Sequence, residues 1–180
     1  KDNRGALDAL QRGTRAITDK SNRETVGVIY SILGEIYHNM GNKAQSFAAY
    51  DSCLQWKPDD VVTLNNYAYY LGEEGVSLKK AEEMSAKAVK AEPKNATYLD
   101  TYAWVLYKQK RYAEAKIYID MALKFTADST NDATLREHAG DIYVGLKNYT
   151  SAVEFYKQAL QQGGDIKTLN RKINLYRRRK

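Results

Sequence analysis

Residues 65–71 read NNYAYYL, and residues 100–106 read DTYAWVL. The two phrases share a polar opening pair, then Tyr-Ala-aromatic, then a Leu, and they lie thirty-five residues apart. A catalytic motif is normally written once, whereas a phrase that returns at a fixed interval marks a structural unit. Two diverged copies flank the pair, SILGEIY at 31–37 and EHAGDIY at 137–143. All four keep a small residue in fourth place: Gly34, Ala68, Ala103 and Gly140. A small residue there lets two helix backbones approach while bulky neighbours at three- and four-residue spacing fill the gaps.

Downstream of each phrase runs a segment with two small residues seven apart. They are Ser46 and Cys53, Ala81 and Ala88, Ala115 and Ala122, Ala152 and Ala159, with Ala9 and Ala16 fitting the same spacing upstream. Both halves of the unit are apolar at helical spacing, as in Tyr30, Leu33, Ile36 and Tyr37. Short turns separate them: GNK at 41–43, KRY at 110–112 and KNY at 147–149. Pro58 and Pro93 each follow a second helix, and proline cannot continue one, so both mark seams. No segment alternates with period two over β-branched residues. The pattern predicts an all-α chain of helix–turn–helix units lying side by side.

These residues resemble the tetratricopeptide repeat, whose pattern is W-x2-L-G-x2-Y, then A-x3-F, then P over about 34 residues. Tyr30-x2-Leu33-Gly34-x2-Tyr37, then Ser46-x3-Tyr50, then Pro58 follow it in register. So do Leu99-x2-Tyr102-Ala103-x2-Leu106 with Ala115-x3-Ile119, and Ala139-Gly140-x2-Tyr143 with Ala152-x3-Tyr156. The resemblance implies a right-handed α-solenoid with a C-terminal capping helix, spanning 1–180 as one array. It divides into a half-unit at 5–22 (second helix only), repeat one at 27–60, repeat two at 61–95, repeat three at 96–132, repeat four at 133–164 and a basic capping helix at 165–180. Repeat two carries one extra residue around GEEGVSL at 72–78, and repeat three ends in a longer polar connection, TADSTND at 126–132. An array that opens on a half-unit, at Lys1, is expected to be cut from a longer chain or to start at a domain edge. In the last segment, Ile166, Leu169, Ile173 and Tyr176 form one stripe, suited to covering the open apolar face of repeat four. The wording of the repeats also resembles envelope-associated tetratricopeptide proteins of Bacteroidetes. That implies export to the periplasm or envelope, with a cytoplasmic location as the alternative.

The net charge of +6 invites a nucleic-acid reading, but its distribution opposes it. Residues 165–180 hold seven basic residues against Asp165 alone, so residues 1–164 are neutral. Helical repeats that read RNA need a basic stripe along the groove. A single cysteine, Cys53, excludes an intrachain disulfide, and its place in the pattern is one where other repeats put Ala. His38 and His138 lie in different repeats with no ligand-spaced companions, and His138 is expected to make a local contact with Asp141 three residues on. No phosphate-binding glycine motif occurs. No run of about 18 apolar residues could span a membrane. The sequence therefore points to a non-enzyme, without catalytic residues, cofactor, metal or small-molecule substrate.

What a helical array offers is an extended surface lined by its first helices. By the geometry the resemblance implies, the lining residues are Ser31 and Glu35, Asn65 and Tyr69, Asp100 and Trp104, Glu137 and Asp141. Four of the eight are carboxylates and none is basic. The expectation is a protein-interaction scaffold whose groove binds a protein or extended peptide, with a preference for basic residues. The clamp by which some family members hold the acidic tails of chaperones is not matched. Asn66 fits it, but Ser31, Glu35, Thr97 and Thr101 stand where Lys, Asn, Lys and Arg are needed. The alternative function is a structural adaptor that self-associates through its terminal helices; an RNA-binding helical repeat ranks last.

Overall fold

The computed structural model describes residues 3–126 and 132–179. Ten α-helices occur among them: α1 (Asn3–Arg15), α2 (Arg23–Asn39), α3 (Lys43–Trp56), α4 (Val61–Glu74), α5 (Leu78–Ala91), α6 (Ala96–Lys108), α7 (Tyr112–Phe125), α8 (Ala133–Gly145), α9 (Tyr149–Gln161) and α10 (Ile166–Tyr176). No strand is present among the described residues, so the chain is all-α as its periodicity predicts. The helices gather into two compact bodies, Lys1–Tyr67 and Ala68–Lys180, and the division falls inside α4.

Local chemistry sets the helix starts. Asn22, Asn42, Asn95, Asp132, Asn148 and Asp165 each accept a hydrogen bond from a backbone N–H in the first turn of the helix that follows. Such caps satisfy donors that the helix itself leaves unpaired. Three of the turns share one conformation. Gly41, Lys110 and Lys147 occupy the left-handed region at φ 75°, 64° and 61°, each one residue before the position that caps the next helix. The extra residue expected near 72–78 is absorbed by two left-handed positions, Gly75 and Ser77. Of the polar connection at 126–132, residues 127–131 lie outside the described residues.

In the N-terminal body α2 packs along α3, with α1 against α2. Leu33, Tyr50, Cys53 and Leu64 are buried, and the Tyr67 ring meets Tyr50 and Phe47 at 5.4 and 5.5 Å. The hydroxyl of Ser46 donates to the carbonyl of Gly34 at 2.8 Å, which ties α3 to α2 at the place where the glycine removes a side chain. In the C-terminal body α6 pairs with α7 and α8 with α9, while α5 lies on α6, α7 on α8 and α9 on α10. One buried cluster joins Leu99, Ala103, Leu106, Ala115, Ile119, Ala122, Leu135, Ala139 and Ile142 across three helices. A second joins Ala152, Tyr156, Ala159 and Leu169.

The small residues of the seven-residue spacing behave as predicted in eight cases. Ser46, Cys53, Ala81, Ala88, Ala115, Ala122, Ala152 and Ala159 are fully buried. Ala9 and Ala16 depart from the pattern and are exposed; α1 packs chiefly on α2, and Ala16 lies beyond its last turn. The α10 stripe also needs correction. Leu169 is buried and Ile173 and Tyr176 are half-buried, but Ile166 is 70% exposed, because it sits in the first turn, outside the helix's contact with α9.

Candidate functional site

The expected lining residues divide between the two bodies. In the N-terminal body, Ser31 Oγ accepts a hydrogen bond from Thr63 Oγ1 at 3.0 Å, and Thr63 Oγ1 lies 3.4 Å from Cys53 Sγ. Burial pushes the Cys53 thiol up from its ordinary value, so it stays protonated and acts as a small packing residue. Glu35 is exposed on α2 without an ion-pair partner among the described residues. Asn65 is 4% exposed, and its Nδ2 donates to Asn66 Oδ1 at 3.2 Å. Its own Oδ1 is buried and has no hydrogen-bond partner among the described residues.

In the C-terminal body three of the remaining residues, Tyr69, Asp100 and Trp104, gather around the His138 ring. His138 lies on α8, and both carboxylate oxygens of Asp100 on α6 approach its Nδ1, at 2.9 and 3.1 Å. The ring is buried and stacks on Trp104, with centroids 4.0 Å apart and planes 15° apart. Trp104 stacks in turn with Tyr107 at 4.8 Å, and Tyr69 stands 6.2 Å from His138. The Trp104 indole N–H donates to Glu73 Oε1 at 2.6 Å, and the Lys108 ammonium sits 4.7 Å from the indole centre. Trp104 is thus 7% exposed, the middle of a ring stack.

The electrostatics follow from this geometry. Burial by itself pulls the His138 imidazole down; the charge and hydrogen bond of Asp100 outweigh it and raise the ring above its ordinary value. Burial, then the charges of Glu73 and Asp100, push the Tyr69 hydroxyl up. Burial and the nearby Asp141 charge push Tyr107 up to about 12. Both tyrosine hydroxyls therefore stay neutral near neutral pH.

His138 does not pair with Asp141 as its helical spacing suggested. Its Nδ1 meets Asp100, and Asp141 has other partners. The Lys172 ammonium of α10 lies 2.7 Å from Asp141 and 2.8 Å from Glu137, and Tyr156 Oη donates to Asp141 at 2.7 Å. Burial lowers Lys172 and the two carboxylates more than restore it, so its net shift is upward. The eight lining residues carry no cation of their own, but α10 delivers one to two of their four carboxylates, and His138 meets a third.

These pairs have similar displacements along the chain. Glu73 meets Trp104 and Asp141 meets Lys172, thirty-one residues apart in each case; Glu137 meets Lys172 thirty-five apart and Asp100 meets His138 thirty-eight apart. Each contact therefore runs laterally from one helix to the second helix after it: α4 to α6, α6 to α8 and α8 to α10. Lys172 on α10 stands toward Asp141 as Trp104 on α6 stands toward Glu73. Among the described residues no group of three or more His, Cys, Asp or Glu is placed to hold a metal ion, and no helix is long and apolar enough to cross a membrane.

Comparison with known proteins agrees with the fold. The tetratricopeptide repeat family model matches residues 28–60 and 133–162. A TPR repeat-containing protein of Pseudomonas aeruginosa is 32% identical over 81 residues, covering 45% of this chain and 14% of that protein. The type IV pilus assembly protein PilF of the same organism is 28% identical over 146 residues, covering 80% of this chain and 56% of PilF. The chain therefore spans less than two thirds of either relative. Among solved structures, MamA from Desulfovibrio magneticus RS-1 superposes with a TM-score of 0.71 at 16% identity, covering 89% of this chain and 85% of that one. The first TPR domain of human RPAP3 gives 0.58 at 15% identity, covering 67% and 91%. Such low identities speak for the fold, which is that of tetratricopeptide solenoids.

Proposed function

We propose that this chain, with tetratricopeptide repeats at 28–60 and 133–162, is a non-enzymatic scaffold that binds an extended segment of a partner protein. The repeat fold is typical of protein-interaction scaffolds. The same reading divides the chain into the half-unit 5–22, four repeats at 27–60, 61–95, 96–132 and 133–164, and the capping helix 165–180. In the N-terminal body the contacts are assigned to Ser31, Glu35 and Asn65. In the C-terminal body they are assigned to Tyr69, Asp100, Trp104, Glu137 and Asp141.

The observation that carries this reading is Asn65. A buried amide oxygen without a donor costs free energy on the order of 1–3 kcal/mol, and a peptide N–H is the group that relieves it. The preference for basic residues narrows to Glu35, the lining carboxylate that no cation among the described residues meets. A partner's lysine at Glu137 and Asp141 would have to displace Lys172. Trp104 supports the surface from beneath, with Tyr69 as the more accessible ring.

A peptide array of random extended sequences tests the assignment. Binders are expected to lose most of their signal on Asn65→Ala and Tyr69→Ala, and their basic preference on Glu35→Gln. Hits that survive all three substitutions unchanged would place the binding elsewhere. A second reading, self-association through the terminal helices, is favoured by the exposure of Ile166 and Leu175, at 70% and 51%. Light scattering over a concentration series separates it from peptide binding. The envelope location that the wording of the repeats suggests is checked by fractionating native cells.

A further inference from the structure

A cavity of about 520 Å³ lies where the first turns of α9 meet the end of α10. Its aromatic wall is Tyr149 with Tyr176, two rings 5.6 Å apart and within 4° of parallel. Its cations are Lys157, Arg177 and Arg179, and its single carboxylate is Glu154. Glu154 faces Lys157 across 3.8 Å with both side chains more than half exposed, a pairing too long and too wet to neutralise the pocket. The Arg177 guanidinium has no carboxylate partner among the described residues. That of Arg179 rests over the Tyr176 ring at 5.5 Å, a cation–π contact that leaves its donors exposed. The first turn of α9 is already capped, since Asn148 Oδ1 accepts from the Ser151 N–H, so an anion here is met by side chains.

The surroundings extend the same sign. Lys167 and Arg171 lie on the side of α10 turned away from Leu169, Arg178 follows just past the helix end, and all three are exposed. They stand clear of Lys172, which is committed to Glu137 and Asp141. A recess of this volume, with aromatic walls and two guanidinium forks, accepts a side chain, and a flat charged surface would leave it unfilled. Guanidinium forks match carboxylates two oxygens at a time.

We propose that this end of the C-terminal body is a docking site for an acidic segment of a partner protein, with carboxylates on Arg177 and Arg179 and an aromatic or apolar side chain against Tyr149 and Tyr176. The site is separate from the lining residues above and stands or falls without them.

The test uses the whole chain and a fluorescein-labelled peptide of alternating Asp and Glu around one Phe. Binding should be saturable, should weaken steeply with added salt, and should be lost when Asp and Glu are replaced by Asn and Gln. R177Q with R179Q should weaken it by at least about tenfold, whereas K79Q with K87Q, an equal loss of charge on the exposed side of α5, should change it less than about twofold. Tyr149→Ala should weaken the Phe peptide more than its Ala counterpart. Ring resonances of Tyr149 and Tyr176 should shift on titration, which keeps the test valid if a variant is unstable. Equal binding of the Asn/Gln peptide, or equal loss in the α5 control, would overturn the proposal. So would tighter arginine-dependent binding to phosphatidylserine vesicles or to single-stranded poly(dT) than to the acidic peptide.

Discussion

Gly34 on α2 lies directly under the Tyr50 ring on α3, so close that a methyl group at residue 34 would stand 2.6 Å from the ring. Sixteen residues separate the two, and the relation returns in the C-terminal body, where Gly140 lies under the Tyr156 ring. Both tyrosines are fully buried. Between α6 and α7 the same spacing joins Ala103 to Ile119, which share one buried cluster. Glycine stands where the opposite residue is Tyr, and alanine where it is Ile. The summed volume of the pair is what the helix spacing conserves.

Gly34→Ala should therefore cost about 1–3 kcal/mol by overpacking. Adding Tyr50→Ile should recover much of the loss by reproducing the Ala103–Ile119 pairing. Urea denaturation of the single and double variants measures this. A Gly34→Ala protein as stable as the parent would mean the ring moves freely aside.

Lys110 and Lys147 carry side chains where Gly41 carries none, in the same left-handed turn. For an L residue with a Cβ that conformation costs roughly 1 kcal/mol, offset in part by the greater unfolded-state freedom of glycine. Lys110→Gly and Lys147→Gly should each raise stability by up to about 1 kcal/mol, and Gly41→Lys should lower it by a similar amount. Thermal melts of the three variants provide the measurement.

The His138–Asp100 pair makes stability depend on pH. The ring titrates above its ordinary 6.5 in the folded chain, so the folded state holds the proton more tightly than the unfolded state. Its contribution is fully present below 6.5 and is lost as pH rises through the raised value. The parent chain should lose stability across that interval, and Asp100→Asn should flatten the slope. Denaturation midpoints taken at successive pH values decide it; parallel profiles would assign the slope to other groups.

Lys172 holds α10 to α8 through Glu137 and Asp141. Lys172→Met should leave two carboxylates without their cation and cost about 1–3 kcal/mol. Replacing them as well, by Glu137→Gln and Asp141→Asn, should restore much of that. Amide hydrogen exchange should show α10 loosening first in the single variant. Uniform loosening of all helices would show that the ion pairs are not what anchors α10.

The helices, their pairing and the buried seam were legible in the letters because each depends on neighbours close in sequence. A cap sees the next turn, an apolar stripe sees its own helix, and Ser46, Cys53, Ala81, Ala88, Ala115 and Ala122 recur at the spacing the seam requires. Ile166 and Ala9 escaped the pattern because exposure depends on what lies alongside, which periodicity does not record. Three polar relations were equally illegible: the turn of His138 to Asp100, the seating of Trp104 between His138 and Tyr107, and the delivery of Lys172 to Glu137 and Asp141. The sequence by itself determined which segments are helices and which faces they bury, since those follow from short-range sterics and hydrophobic spacing. Only the tertiary structure decided which charges meet, because the partner of a side chain is chosen by the lateral placement of helices a whole repeat apart, where one residue of offset exchanges one neighbour for another.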